Sequence, residues 1–342
     1  MSTKLAIGGV AVGLSLFGFA SSALAFRYTT CSDEKVVWDG SIDLVRNTFS
    51  IPNGSTRHDA FTNAVSRWNA VVGMANEFQL AGTTSGSVIT NGDDQNDVAV
   101  VNRSSIDGNN GLTLVYIGGC WAWGADIDET DVMVASDLPF ANPDEVSLAT
   151  TGRNTFVHEF GHAIGLLHHD KANLLRTVQP RPKMGGPAEH VDILPDDAQG
   201  GRFLYPTGLG QKNLFATAQR LEGGEITNEN GFTPQIGCPG GVVTVKFTVG
   251  NNGTSAIVNN QRFSMSTSKT GYTGGTTMGV WSGATNNPNG YFSGSVQLTI
   301  PNVAPGIYFL FYRVDKDGTT VESRESDNVV RLNKTLQILN CN

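Results

Sequence analysis

The chain is short of charge and of cysteine: charged residues make up 16% of its 342 positions, and four are cysteine. Lysine and arginine (23) are outnumbered by aspartate and glutamate (31), no basic cluster stands out, and the formal net charge is −8. That balance excludes a nucleic-acid partner or an anionic membrane surface held by ordinary electrostatics. Beyond the N-terminus no apolar run approaches the length of a membrane span, so no transmembrane segment is expected. No C-x2-C pair occurs, which disfavours a four-cysteine zinc site. There is no internal repeat.

What is present begins with a leader. Lys4 supplies a positive start, Leu5 to Ala20 is apolar and small, and Ala23-Leu24-Ala25 satisfies the small-x-small cleavage rule. The reading is a signal peptide over 1–25, cut after Ala25, and a secreted product. Cys31, Cys120, Cys238 and Cys341 form an even set, as disulfides in an exported chain require. Two fall in each half, so Cys31–Cys120 and Cys238–Cys341 are the expected pairs, although spacing alone leaves other pairings open.

A chain of this length suits two domains. The first half is mixed. Ser55 caps an expected helix to about Val72, whose Ala60, Phe61, Ala64, Val65, Trp68, Val71 and Val72 share one face. Strands are expected at Asn96–Asn102, Leu112–Ile117 and Asp131–Ala135. A second helix starts near Thr151 and a third at Pro195, with Asp196 and Asp197 in its positive first turn. After Pro206 the texture changes. A connector at 208–222 leads to 223–342, where Val243, Val245, Phe247 and Val249 alternate with polar residues, and turn signals such as Asn289-Gly290 and Asp317-Gly318 separate short strands. That pattern suggests an all-β Greek-key sandwich of immunoglobulin type.

The chemistry is concentrated in His158-Glu159-Phe160-Gly161-His162-Ala163-Ile164-Gly165-Leu166-Leu167-His168. Residues four apart share a helix face, so His158 and His162 can bind one ion together. Glu159 can lie beside that ion without binding it and take a proton from a zinc-bound water, whose pKa falls to about 7. Gly165 lets the chain leave the helix in a left-handed turn and bring back His168 as third ligand. Three imidazoles leave a fourth position open, the arrangement of a catalytic site. His169 is a neighbouring alternative that the spacing disfavours.

The extended H-E-x-x-H-x-x-G-x-x-H motif resembles that of the metzincin metalloendopeptidases, and its surroundings are most similar to the matrixin branch. The resemblance covers roughly Val36 to Pro206 and implies an α+β metzincin-like catalytic domain over 26–207, a twisted mixed sheet with an active-site helix. It makes Met184 the Met-turn residue beneath the metal and has Asp196 and Asp197 tie the third helix to that turn and to the mature N-terminus. It also implies a sheet edge that pairs with an extended protein or peptide substrate, for which Asp126–Ser136 is the candidate. Calcium is implied at Asp93, Asp94, Asp97 and the carboxylates of 126–131, which solvated loop acids explain equally well. Two features depart from the family: Gly185, not tyrosine, follows Met184, and no cysteine-switch propeptide precedes Cys31. In the second half, Val321–Val330 and Phe247–Thr254 resemble a CARDB-type immunoglobulin-like module, implying cell-surface or carbohydrate attachment or a passive spacer role.

The function expected is thus a secreted zinc-dependent endopeptidase acting on extracellular proteins. The competing expectation is a non-catalytic extracellular binding or adhesion protein in which the sandwich does the work. Glu159 separates the two, because a structural zinc site does not need it.

Overall fold

The structure is a computed structural model, and it describes residues 5–7, 27–31, 34–71, 73–86, 89, 92–119, 126–140, 151–168, 193, 195–207, 212–222, 225–270, 272–288, 290–322 and 328–341. The chain divides into two compact units. One takes Met1–Asn142, Thr150–Gly185 and Asp196–Thr207; the other takes Pro143–Ala149, Gly186–Pro195 and Gly208–Asn342.

The expected fold class, an α+β metzincin-like domain ahead of a Greek-key sandwich, is corrected by the chain's composition in elements. Strands dominate: 21 of them accompany only three α-helices among the described residues. The physical reason lies in the pattern. A 3.6-residue apolar repeat with a cap occurs at few places, while β-branched and alternating runs recur along the whole chain.

In the first unit a six-stranded sheet runs in the order Leu5–Ile7, Gly111–Gly118, Asp126–Ala135, Asn96–Val101, Ile42–Asn47, Phe78–Thr84. The last four are mutually parallel, and Gly111–Gly118 runs antiparallel to Asp126–Ala135. Helix α1 (Thr56–Asn69) links two parallel strands, as such connections require. Ser55 caps it by accepting the His58 N–H at 3.1 Å, and Ala60, Phe61, Ala64 and Trp68 form its buried face. Helix α2 (Gly152–Ala163) packs on α1 and on the sheet. Helix α3 (Pro195–Leu204) completes the unit.

Two expectations fail here. Asp126–Ser136 is not the sheet edge: its strand lies between two others, and Gly111–Gly118 with the short Leu5–Ile7 strand lies outside it. Nor are all its acids solvated: Asp126 and Asp128 are exposed, but Glu129 and Asp131 are fully buried. The Gly92 and Asp94 N–H groups donate to Glu129 at 2.6 and 2.7 Å, and the Asp97 N–H donates to Asp131 at 3.1 Å. Burial pushes the Asp131 carboxyl up to about 8, with Glu129, Asp97 and Asp93 adding to the rise and the Asp97 amide opposing it. Backbone amides, not water, receive these side chains.

In the second unit, Val242–Asn251 pairs with Leu214–Thr217 and Phe232–Thr233 on one side and Tyr291–Thr299 on the other. A five-stranded sheet runs Ile236–Gly237, Val329–Ile338, Gly306–Val314, Ile257–Ser266, Thr276–Asn286. Val243, Val245, Phe247 and Val249 of one sheet meet Phe263, Leu310, Tyr312 and Leu336 of the other in one apolar core. The stretch 208–222 is not a plain linker, because it supplies the strands Leu214–Thr217 and Gln219–Glu222. Residues read there as connector include Leu214 and Phe215, both fully buried. Cys238 and Cys341 are joined by a disulfide. Cys31 is also disulfide-bonded, and its expected partner Cys120 lies outside the described residues.

Candidate metal centre

Helix α2 carries the site because its own sequence starts and stops it. Thr151 caps the N-terminus, its hydroxyl accepting the Asn154 N–H at 3.2 Å. Phe156 and Phe160 point into an aromatic cluster with Phe61, Phe78 and Phe140, at centroid distances of 4.9 to 6.2 Å. The Trp68 indole N–H donates to the Val157 carbonyl at 2.8 Å. At the C-terminal end, the Trp38 indole donates to Ala163 O at 2.8 Å and the Tyr205 hydroxyl to Ile164 O at 2.9 Å. Carbonyls that the helix leaves without intrahelical partners are thereby satisfied. Gly165 follows at φ +93°, and an added Cβ there would lie 3.3 Å from Val36 O. A side chain at that position would meet both the left-handed backbone and the crowding.

Past Gly165 the chain turns into Leu166–Leu167, paired with Arg27–Tyr28, and delivers His168. The Nε2 atoms of His158, His162 and His168 then lie 3.0 to 3.1 Å from one another in a triangle. His162 Nδ1–H donates to the Leu166 carbonyl at 2.8 Å, which fixes its tautomer and leaves a lone pair on Nε2. Burial, with the His168 ring beside it, pushes His162 down to about 4, and burial also lowers His168. Neutral rings carry one N–H each, and His162 uses its own on Leu166, so at most two protons remain for three contacts. Hydrogen bonding alone does not account for the triangle.

A cation at its centre does. A metal–nitrogen distance of about 2.0–2.1 Å at tetrahedral angles separates ligand nitrogens by roughly 3.3 Å, close to the spacing seen. Among the described residues these three side chains are the group whose ligand atoms converge in this way. The carboxylates of Asp93, Asp94, Asp97 and 126–131, expected as calcium ligands, do not form such a group among the described residues.

Glu159 is buried one residue after the first histidine. Burial raises its carboxyl to about 8, and a hydrogen bond from Thr113 opposes the rise. The Thr113 hydroxyl lies 2.7 Å from Glu159 Oε2 and 3.0 Å from the Glu159 carbonyl. Gly111, on the same strand, leaves the room: a Cβ there would fall 2.4 Å from Glu159 Oε1. Sequence reasoning missed Thr113, Gly111, Trp38 and Tyr205, because nothing in a single sequence marks which strand faces a helix.

The remaining expected residues divide. Asp197 is buried in the first turn of α3. Asp196 belongs to the same helix, its side chain outside the described set, and Met184 and His169 lie outside the described residues altogether.

No protein-family profile matches the chain, and no curated protein matches it. Among solved structures it is similar to the CARDB domain of a Pyrococcus furiosus protein in complex with di-metal ions, at 17% identity and a TM-score of 0.27, covering 38% of this chain and 96% of that one. A β-glucosidase from Erythrobacter marinus matches at 14% identity and a TM-score of 0.26, over 41% of this chain and 19% of that one. The sporulation control protein Spo0M from Bacillus subtilis matches at 11% identity and a TM-score of 0.23, over 39% and 51%. Structural neighbours thus include a CARDB domain, none of these three is a metzincin, and likenesses this distant carry nothing about activity.

Proposed function

We propose that the chain is a secreted zinc-dependent endopeptidase whose catalytic centre is of the metzincin type in its ligand motif. The observation that carries the reading is the triangle of three imidazole Nε2 atoms with a buried glutamate next to the first of them. His158, His162 and His168 would hold the ion, and the all-imidazole donor set suits zinc. Bound there, zinc supplies a polarised scissile carbonyl and a water of lowered pKa.

The chain's own residues do the rest. Glu159 takes a proton from the attacking water and passes it to the leaving amine. Thr113 holds the Glu159 carboxylate on the side away from solvent, so that the base keeps one rotamer. The outer edge of Gly111–Gly118 offers backbone N–H and C=O groups to an extended peptide. The antiparallel pairing of Leu5–Ile7 with Ile117–Val115 supports that use of the edge. Cleavage of the leader after Ala25 takes Leu5–Ile7 away and bares it. The Cys238–Cys341 disulfide supports an oxidising, extracellular destination.

Casein or gelatin zymography with and without a chelator tests the reading, together with metal analysis. Proteolysis that needs the metal and disappears in Glu159→Ala, with metal content unchanged, is the expected result. A chain that binds zinc yet cleaves nothing would instead favour a binding protein. Proteolysis retained in Glu159→Ala would sink the role given to that residue.

A further inference from the structure

The second unit holds a polar cavity that the peptidase reading does not use. Arg262 and Arg313 are direct cross-strand partners on Ile257–Ser266 and Gly306–Val314. Like charges placed opposite each other on neighbouring strands destabilise a sheet, so the pair calls for a negative counterpart. Among the described residues, Asp317 faces three cations, Arg262, Arg313 and Lys316. It pairs with Arg262 at 3.2 Å and also with the Lys316 ammonium. Among the described residues Arg313 makes no such close ion pair, and its Nε is buried without a hydrogen bond.

Arg262 and Arg313 line a cavity of about 450 Å³, together with Ser264, Tyr272, Gly274 and Thr277. The Tyr272 hydroxyl is buried and likewise lacks a hydrogen-bond partner among the described residues. Its ring is held edge-on to Phe311, with centroids 6.3 Å apart. Tyr272, Arg262 and Arg313 border one space. Gly274 turns the bordering loop at φ +89° with open space where a Cβ would stand, so a ligand can approach the backbone. In a chain of net charge −8, a concave site with two arginines and a phenol runs against the general surface.

We propose that this cavity binds an oxyanion, a carboxylate or phosphate, carried by a ligand of about monosaccharide size. Guanidinium groups present planar forks that match such oxygens two at a time, and desolvation strengthens the contact. Arg313 is the principal fork, Arg262 the second, and the Tyr272 hydroxyl the neutral donor. The volume lies within the usual span of small-molecule sites, roughly 300–1,000 Å³.

Isothermal titration of the full-length protein with glucuronate, inorganic phosphate and neutral glucose, at low salt, tests the assignment. One saturable site for either anion and none for glucose is expected. Tighter glucuronate identifies a sugar acid as the source of the anion; tighter phosphate identifies a phosphate or its ester. Arg313→Gln should weaken binding by about tenfold or more and Tyr272→Phe by several-fold, with circular dichroism and metal content unchanged. Should Arg313→Gln fail to fold, Tyr272→Phe decides alone. Absence of anion binding, equal binding of glucose, or wild-type affinity in the folded variants would overturn the proposal.

Discussion

Two buried polar clusters, one in each unit, are closed off in opposite ways. In the second unit the Tyr312 hydroxyl sits in the core, accepts the Thr217 and Thr248 N–H groups at 3.2 Å, and lies 2.7 Å from the Thr248 carbonyl. Burial drives its pKa well above the usual phenol range, so it stays a neutral donor and acceptor. Every part of that hydroxyl is answered by backbone. In the first unit the His158, His162 and His168 Nε2 atoms face one another and have too few protons among them. A buried polar group that serves the fold is saturated from within, whereas one that serves chemistry leaves lone pairs aimed at a shared point.

The contrast can be broken most sharply at the triangle. His162→Ala should abolish metal retention, measured by atomic absorption, and proteolysis with it. Glu159→Ala should lower turnover by roughly 10²–10⁴-fold while the metal stays. Neither change should move the unfolding of the second unit. Next in size is Cys341→Ser. The disulfide closes a separation of 103 residues, and its loss should destabilise the second unit by about 2–5 kcal/mol in denaturant titration, with metal content unaltered.

Tyr312→Phe should cost about 1–3 kcal/mol, because the Thr217 and Thr248 amides lose their acceptor. If that variant also lost metal, the separation between a structural and a chemical unit would not hold. The smallest effect is expected at Thr113→Val, about tenfold in kcat/KM, or about 1.4 kcal/mol, with zinc retained and activity restored in Thr113→Ser. Equal activity in the valine variant would remove Thr113 from the positioning of Glu159.

The helices were the legible part of the fold. Ser55, Thr151 and Pro195 are boundary residues with local physical causes, and α1 through α3 run Thr56–Asn69, Gly152–Ala163 and Pro195–Leu204. Several strands went unread. Ile42–Asn47 and Phe78–Thr84 carry little alternation, and Leu214–Thr217 is buried over its whole length, so it shows no period at all. Asp126–Ala135 was misplaced because charge was taken for exposure. Glu129 and Asp131 are received by the amides of Gly92, Asp94 and Asp97, more than thirty positions earlier in the chain.

For the site, local rules carried far. Helical geometry sets His158 and His162 on one face about a turn apart with Glu159 beside the first, and Gly165 at φ +93° is a requirement that a glycine announces. Only the tertiary structure decided how Glu159 is held. Thr113 and Gly111 reach it from a strand more than forty residues away in sequence, across the packing of α2 on the sheet. The same packing sets the burial that raises the Glu159 carboxyl. Periodicity and caps are written within one turn or one pleat, but which strand meets a helix depends on the whole core closing, and no local pattern encodes that choice.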